Sequence, residues 1–168
     1  GGAVYMNAGA YGAETADILV SSEYLRGGAT LSRGAHEHEF AYRSSVYRKT
    51  GEVILSATFL LTPDDAAAVK ARSDANLRAR KEKQPLEYPN AGSIFKRPQG
   101  AFAGALIETA GLKGLRIGGA AVSEKHAGFI VNLGGATTDD VLRLIEAVRS
   151  EVFKQTGVLL EPEVIHIQ

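Results

Sequence analysis

The stretch PNAGSIFKRP, residues 89–98, is the one around which the rest of the chain is organised. A proline at each end restricts the backbone, and Gly92 is able to adopt conformations that are closed to other residues. A short constrained loop of this kind holds a side chain in a fixed position, so the hydroxyl of Ser93 is the first candidate for chemistry. The alternative is that Ser93 only caps the loop or the helix that follows, as serines in Gly-Ser pairs commonly do.

The composition limits the classes of function. The chain has 168 residues, enough for one large domain or two small ones, and its 45% apolar and 23% charged residues are typical of a globular protein. The 19 basic residues equal the 19 acidic ones, which argues against a dedicated nucleic-acid-binding protein but not against a local basic pocket for an anion. No apolar run approaches the ~20 residues of a membrane span, so membrane insertion is not expected.

The chain contains no cysteine. This excludes disulfides, thiolate metal ligands and cysteine nucleophiles, and it fits a reducing compartment such as the cytoplasm. The first residues, GGAVYM, include no initiator Met and read like the middle of a protein. We therefore expect a fragment whose natural N-terminal part is missing.

The first 61 residues are predicted to be mainly β-structure. Residues 1–12, GGAVYMNAGAYG, have small side chains that allow a backbone to approach a bulky group such as a cofactor phosphate. A tight glycine-rich turn packed under a sheet is the alternative, because the glycine spacing matches neither a Walker A loop nor a GxGxxG fingerprint. Strands are predicted over residues 16–21, 30–33 and 52–61.

Two groups between these strands are candidates for binding. His36 and His38 are two residues apart, which places both imidazoles on one face of an extended segment. No third metal ligand is evident, so a solvated surface is favoured over a metal site. Arg43 lies among aromatic and hydroxyl side chains, where its guanidinium suits bidentate binding of a carboxylate or phosphate, and an ordinary surface arginine is an equal alternative.

Helices and strands alternate in the second half of the chain. TPDD, residues 62–65, is predicted to open an Ala- and Arg-rich helix that runs to about Lys83 and is exposed on one side. Strand-like segments at 114–123, 125–132 and 158–168 then predict a small α/β unit. The apolar faces of two further helices are predicted to be Phe102, Ala105, Leu106 and Thr109 over about 100–110, and Val141, Ile145, Val148 and Val152 from 138 to about 157.

Five stretches together resemble a known family. They are NAGAYG (7–12), YRSS (42–45), AGSIFKRP (91–98), AGLKGLRIGGAAVSEKHAGFIVN (110–132) and LEPEV (160–164). Similar stretches occur in the same order in UDP-N-acetylenolpyruvoylglucosamine reductase, the MurB family of bacterial cell-wall synthesis. The resemblance covers essentially the whole chain. The absence of a Tyr-bearing insertion before the helix over 64–83 is similar to the shorter, type II branch of the family.

This resemblance implies an α+β fold in two parts. Residues 1–80 resemble the second half of the family's FAD-binding (PCMH-type) region, and residues 81–168 resemble its C-terminal α/β substrate-binding domain. The first FAD-binding part is expected to be missing. The family's reaction implies FAD and NADPH as cofactors, and it implies that UDP-N-acetylglucosamine enolpyruvate is reduced to UDP-N-acetylmuramate for peptidoglycan synthesis in the cytoplasm.

The resemblance also implies roles for individual residues. Ser93 matches the residue that supplies a proton after hydride transfer, and Arg43 matches the arginine that binds the substrate carboxylate and stabilises the enolate. Glu163 matches the third catalytic position; Glu161 is an equal choice from the residues alone, and the register of LEPEV decides for Glu163. The other matches are Asn7, Ala8, Gly9 and Gly12 in the flavin-facing loop, and Lys96, Arg97, Lys125 and His126 near the substrate.

Two of these matches carry a chemical argument. Lys96 is close enough in sequence to Ser93 to lower the cost of a transient alkoxide. Arg97 stands where some members have an asparagine that touches the substrate, and an arginine there suits the UDP diphosphate.

The alternatives to this function are a non-catalytic sugar-nucleotide-binding module and another flavin oxidoreductase of the same superfamily. The joint presence of Arg43, Ser93 and Glu163 argues against the latter.

Overall fold

A computed structural model describes residues 1–167 and divides the chain into two compact units, residues 1–65 and the residues from 66 onwards. The helix over residues 66–83 clusters with the second unit. The domain boundary expected at residues 80 and 81 stays a prediction. Among the described residues, no helix is both long enough and apolar enough to cross a bilayer.

The first unit is built on a three-stranded antiparallel sheet in the order β4-β3-β5. A short helix, α1 (Gly2–Tyr5), precedes a hairpin of β1 (Gly9–Ala10) and β2 (Ala13–Glu14). The sheet consists of β3 (Leu19–Arg26), β4 (Ala29–Gly34) and β5 (Val53–Phe59), with α2 (Val46–Thr50) ahead of β5. The strands predicted over 30–33 and 52–61 are confirmed. The first strand begins later than predicted, because Thr15–Asp17 form a 3₁₀ turn.

A buried hydrogen-bonded cluster lies in the core of this unit. The Ser22 hydroxyl is 2.7 Å from Nε2 of His38 and 2.6 Å from the Tyr47 hydroxyl, and Nδ1 of His38 is 2.8 Å from the Gly34 carbonyl oxygen. The side chains of Ser22, His38 and Tyr47 are at most 1% exposed. Each of their polar groups has a partner, which offsets the cost of removing it from water.

The prediction of a solvated His36–His38 face is therefore wrong for His38. Residues Ala35–His38 form a 3₁₀ turn rather than an extended segment, so the two imidazoles do not share a face. His36 is exposed, whereas His38 is fully buried. Within residues 1–167, no group of three or more His, Cys, Asp or Glu side chains has a geometry that would hold a metal ion.

A nearly buried ion pair closes one side of the same core. The guanidinium of Arg33 donates to the Glu52 carboxylate at 3.1 Å and lies 4.2 Å from the centre of the Tyr24 ring. Burial would raise the pKa of Glu52, but hydrogen bonds from Thr50, Arg26 and Arg33 outweigh that effect and hold the pKa below its usual range. The ionised carboxylate is thus the form that the folded unit favours.

The Glu52→Gln substitution should lower the free energy of unfolding at pH 7. Because folding depresses the pKa of Glu52, its stabilising contribution is present above the unfolded pKa of about 4.3 and is lost as the pH falls through the folded value. Urea unfolding at several pH values should therefore show a gap between wild type and variant that narrows below about pH 4. Glu23→Gln, at an exposed position of the same sheet, controls for simple loss of charge. An equal difference in unfolding free energy at every pH would contradict the lowered pKa of Glu52.

The second unit packs two helices with a four-stranded antiparallel sheet in the order β6-β9-β8-β7. An exposed helix, α3 (Ala66–Lys83), comes first, followed by β6 (Asn90–Ser93) and α4 (Ala103–Thr109). A hairpin of β7 (Arg116–Ile117) and β8 (Ala120–Val122) leads to β9 (Phe129–Asn132) and α5 (Thr138–Thr156). Helices with antiparallel sheets in both units confirm the predicted α+β class.

The structure corrects three local predictions in this unit. Helix α3 begins at Ala66, after TPDD, and none of its 18 residues is buried. The strand predicted over 114–123 is two strands, because a hairpin turn at Gly118 and Gly119 interrupts it. A Cβ at Gly119 would lie 2.3 Å from the Ala136 nitrogen, so no larger residue fits there. The tail predicted as a strand has only one isolated bridge, from Pro162 to Phe95, up to residue 167; Gln168 lies outside the described residues.

The apolar face of α4 is shifted by one residue from the predicted one. Phe102 is the N-cap and is 61% exposed, whereas Ala103 and Ile107 are buried. Leu106 and Ala110 pack beside them, so the observed face has the predicted spacing but starts one position later. Periodicity predicts the spacing of a buried face, and only the packing of the helix decides its phase.

Helix α5 agrees more closely with its prediction. Thr137 is the N-cap, its hydroxyl accepts a hydrogen bond from Asp140 N–H at 3.1 Å, and Gly157 ends the helix with a φ of 72°. The N–H of Thr137 in turn lowers the pKa of the Asp140 carboxyl. The buried residues are Leu144, Ile145, Val148 and Val152, so three of the four predicted core residues are confirmed.

Leu144→Ala should destabilise the second unit by about 2–5 kcal/mol, because Leu144 is fully buried and its truncation leaves a cavity. Leu142→Ala, two residues away on the same helix and 36% exposed, should cost far less. Urea unfolding of the two variants, followed by the circular dichroism of the helices, compares them directly. Similar losses in both variants would show that the buried face of α5 is assigned incorrectly.

Candidate functional site

Ser93 lies at the end of β6, in the sheet of the second unit. Asn90 pairs with Val131 and Ser93 with Phe129, so β6 uses three steps where β9 uses two, which is a β-bulge. Gly92 sits in this bulge with a φ of 80°, a conformation that favours glycine. The Asn90 side chain accepts a hydrogen bond from the Gly92 N–H at 3.0 Å. The bulge leaves the Ser93 side chain exposed, while Ile94 beside it is 1% exposed and anchors the segment.

The C-terminal tail pairs with the residues that follow Ser93. The N–H of Glu163 donates to the carbonyl of Ile94 at 2.7 Å, and the N–H of Lys96 donates to the carbonyl of Glu161 at 2.9 Å. These bonds hold the half-buried Glu163 next to the Ser93 loop, although the two residues are 70 positions apart in the sequence. The backbone of Glu163 therefore lies beside that of Ile94, the residue after Ser93.

Lys96 and Glu161 also form an ion pair through their side chains. The Lys96 side chain is 20% exposed and that of Glu161 is 69% exposed. The cation that sequence proximity assigned to Ser93 therefore has a carboxylate partner on the tail. The sequence did not predict the Lys96–Glu161 pair. Its one sequence signal is the alternation of LEPEV, which places the two glutamates on one side of an extended segment.

Arg97 stacks on an exposed aromatic ring. Its guanidinium carbon lies 4.0 Å from the centre of the Phe102 ring, in the geometry of a cation–π contact. Phe102 is the N-cap of α4, so the stack joins the Ser93 loop to the start of that helix. Phe102 is therefore not in the core as predicted, and the sequence did not predict this contact.

Lys125 and His126 lie in the turn between β8 and β9. The Lys125 ammonium donates to the Lys81 carbonyl at 2.7 Å and lies 3.4 Å from the Glu87 carboxylate. The pKa of Glu87 is lowered by a hydrogen bond from the backbone N–H of Glu87 to its own carboxylate. The charge of Lys125 lowers this pKa further. Nδ1 of His126 accepts from the Gly128 N–H at 3.1 Å. His126 is thus oriented by the turn itself.

A cavity of about 410 Å³ opens on the second unit beside Lys125. Its volume lies within the range of small-molecule sites. Apolar side chains of the sheet form one part of its wall, and two cations and two acids form another. The lining residues are Pro85, Glu87, Tyr88, Gly114, Arg116, Ala121, Val122, Ser123, Glu124, Lys125, Val131 and Leu133.

In the first unit, residues 7–12 form one strand and the turn of a tight hairpin. Tyr11 and Gly12 link β1 to β2 and both have positive φ, as two-residue hairpin turns favour. A Cβ at Gly9 would lie 3.0 Å from the Glu14 Cβ, so a larger residue fits there only if the neighbouring strand moves slightly. Ala8 and Gly12 are exposed and have no side chain longer than a methyl group, whereas Tyr11 between them is 64% exposed.

Asn7 differs from its neighbours because its side chain is 2% exposed. Its Oδ1 accepts from the Ala16 N–H at 2.9 Å, and its Nδ2 donates to the Ala41 carbonyl at 3.4 Å. Asn7 therefore links the glycine-rich hairpin to the turn that carries Arg43.

Arg43 lies at the tip of this turn, which is closed by hydrogen bonds between the backbones of Ala41 and Ser44 at 3.0 and 3.1 Å. Its φ of 53° is uncommon for a residue with a side chain and costs about 1–2 kcal/mol. Arg48 donates to the Arg43 carbonyl at 3.0 Å, and the buried Ser45 donates to the Tyr5 carbonyl at 2.8 Å. The surrounding contacts thus hold a half-exposed arginine in a strained conformation.

Comparisons with known proteins give the chain its family. Residues 84–167 match the family model described as UDP-N-acetylenolpyruvoylglucosamine reductase, C-terminal domain. The proteins of that name from Lachnoclostridium phytofermentans and Streptococcus thermophilus are 54% and 53% identical over 165 residues, or 98% of this chain. The chain belongs to the UDP-N-acetylenolpyruvoylglucosamine reductase family.

A solved structure agrees with this membership. The MurB reductase of Thermus caldophilus superposes with a TM-score of 0.85 at 39% identity, over 97% of this chain and 58% of its own length. The chain likewise spans 53% and 54% of the two curated relatives, about half their length. The match of the family confirms the resemblance carried by the five stretches.

Gly92→Ala should cost about 1–2 kcal/mol of stability, because alanine disfavours a φ of 80°. Gly111→Ala is the matched control: its φ is 73°, and a Cβ at either glycine meets no atom within 4 Å. Urea unfolding should give similar losses for the two variants. Amide chemical shifts of Ser93 and Phe129 should move only in Gly92→Ala, and equal shifts in both variants would contradict a local role for the bulge.

Proposed function

We propose that this chain is the C-terminal half of a cytoplasmic flavoenzyme of peptidoglycan synthesis. The enzyme reduces the enolpyruvyl group of UDP-N-acetylglucosamine enolpyruvate to give UDP-N-acetylmuramate, with NADPH as the reductant and FAD as the cofactor. The names of the relatives support the reductase activity. The observation that carries the proposal is the 2.7 Å hydrogen bond from the Glu163 N–H to the Ile94 carbonyl, which holds the backbone of Glu163 beside the residue that follows Ser93.

Three side chains divide the chemistry at the substrate. Ser93 donates the proton that completes the reduction, since its hydroxyl is exposed on a bulge that fixes its position. Glu163 assists the enol form of the substrate. Arg43 binds the substrate carboxylate and stabilises the developing negative charge, and a fixed cation of this kind is commonly worth several kcal/mol.

The residues present fit one wall of a flavin site. FAD, when bound, supplies the hydride that NADPH provides. Ala8 and Gly12 are exposed and have no long side chain of their own, which suits close approach of a flat ring to their backbone. Gly9 keeps this hairpin tight, and Asn7 acts through its two hydrogen bonds rather than by touching the cofactor.

The second unit holds the nucleotide part of the substrate. Lys96 and Arg97 follow Ser93 by three and four residues, and the centre of the Phe102 ring lies 4.0 Å from the guanidinium carbon of Arg97. An arginine so placed suits the diphosphate. Lys125 lines the 410 Å³ cavity, and the turn that carries Lys125 also holds His126 in one orientation.

Ser93→Ala in the full-length protein should separate the two half-reactions. Oxidation of NADPH in single turnover should stay within about twofold of wild type, whereas reduction of the enolpyruvyl substrate should slow by roughly 100-fold or more, since the proton donor is missing. Stopped-flow absorbance of the flavin measures both rates. Ser150→Ala, an exposed serine on α5, is the control. If substrate reduction in Ser93→Ala is as fast as in wild type, Ser93 is not the donor.

A second candidate function is a sugar-nucleotide-binding module without catalysis, and the cavity on the second unit supports it. Titration of the 168-residue chain with UDP-N-acetylglucosamine, followed by amide chemical shifts, tests this function. Shifts at Lys125 and Val131 with no turnover in the full-length protein would favour the module. Turnover that is sensitive to Ser93→Ala would favour the reductase.

A further inference from the structure

The Lys96–Glu161 ion pair joins two segments that are 65 residues apart, and the proposed function assigns no task to Glu161. Lys96 follows Ser93 by three residues, and Glu161 precedes Glu163 by two. The pair therefore connects the loop that carries the proposed proton donor with the tail that carries the proposed catalytic carboxylate.

The pairing geometry places these side chains together. Pro162 lies opposite Phe95 in an antiparallel bridge, so Glu161 lies opposite Lys96. Opposite residues in such a pairing share a face, and so do residues two apart in one strand. Lys96, Glu161 and Glu163 are therefore expected on one face of this short ladder.

The ladder itself is short. It has two backbone hydrogen bonds among the described residues, one on each side of the Phe95–Pro162 pair. Leu160 is fully buried and its carbonyl accepts from Arg149 Nε at 2.9 Å, and the half-buried Val164 packs against the same core. A short pairing of this kind is weakly specified, so a charged pair across it adds to its definition.

We propose that Glu161 is a positioning residue, which holds the Lys96 ammonium and keeps the tail in the register that sets Glu163 opposite Ile94, the residue that follows Ser93. This inference rests on the proposed function, because it assumes that Ser93 and Glu163 act on the substrate. An ion pair with one exposed partner contributes little to stability. Loss of the pair should therefore affect the chemistry without unfolding the chain.

A double-mutant cycle in the full-length protein tests the inference. Glu161→Gln and Lys96→Met should each slow single-turnover reduction of the substrate by roughly 10- to 100-fold, since small displacements of reacting groups have effects of that size. The double variant should be no slower than the slower single variant, because Glu161 acts through Lys96. Oxidation of NADPH and the melting temperature of the 168-residue chain should not change in Glu161→Gln. Effects that multiply in the double variant would overturn the inference.

A matched control removes a similar ion pair elsewhere in the unit. Lys113 and Glu108 are 28% and 59% exposed and lie 2.6 Å apart, so Glu108→Gln loses a comparable surface pair. Glu108→Gln should leave substrate reduction unchanged; an equal slowing there would show that Glu161 has no special position. Ser93→Ala and Glu163→Gln distinguish the catalytic assignments of these two residues from the positioning role of Glu161. Normal rates in both variants reject the catalytic assignments themselves, whereas slow rates there with a normal Glu161→Gln reject only the positioning role.

Discussion

Two backbone hydrogen bonds between residues 94–96 and 161–163 hold the candidate site of the second unit together. They connect a loop near the start of the unit with a tail near its end, and everything between them forms one core. The sheet fixes Ser93 through its pairing with Phe129, and α5 fixes the tail through Arg149 and the Leu160 carbonyl. The distance between Ser93 and Glu163 thus depends on the packing of the whole unit.

In the first unit, a strained turn positions the candidate residue Arg43. Arg43 has a left-handed backbone, which is unfavourable unless its surroundings impose it. Asn7 donates to the Ala41 carbonyl of the turn, Arg48 donates to the Arg43 carbonyl, and Ser45, just after the turn, donates to the Tyr5 carbonyl. The core of the same unit contains the Ser22–His38–Tyr47 cluster, whose polar atoms are paired. A rigid base of this kind suits a cation that must meet a substrate in one orientation.

Local sequence signals predicted the elements well where one physical effect dominated. The helix predicted from 138 to about 157 is α5, which Thr137 and Gly157 delimit, because capping acts within a few residues. The predictions were wrong where the sequence pattern fits two arrangements equally well and only the packing distinguishes them. The apolar face of α4 has the predicted spacing but the wrong phase, so Phe102 lies on the surface and Ile107 lies in the core. His38 was placed on the surface because nothing local predicts the 3₁₀ turn that buries it.

The sequence by itself determined the family and the candidate residues, because five ordered stretches carry enough specific positions to be distinctive. It also determined the α+β class, which the resemblance carried by these stretches implies. Only the tertiary structure decided which charges meet. Lys96 pairs with Glu161 and Lys125 lies beside Glu87, although other acids are closer in sequence to Lys125. Side-chain pairing depends on distances in space, and those distances arise only when the sheet and helices pack into one core.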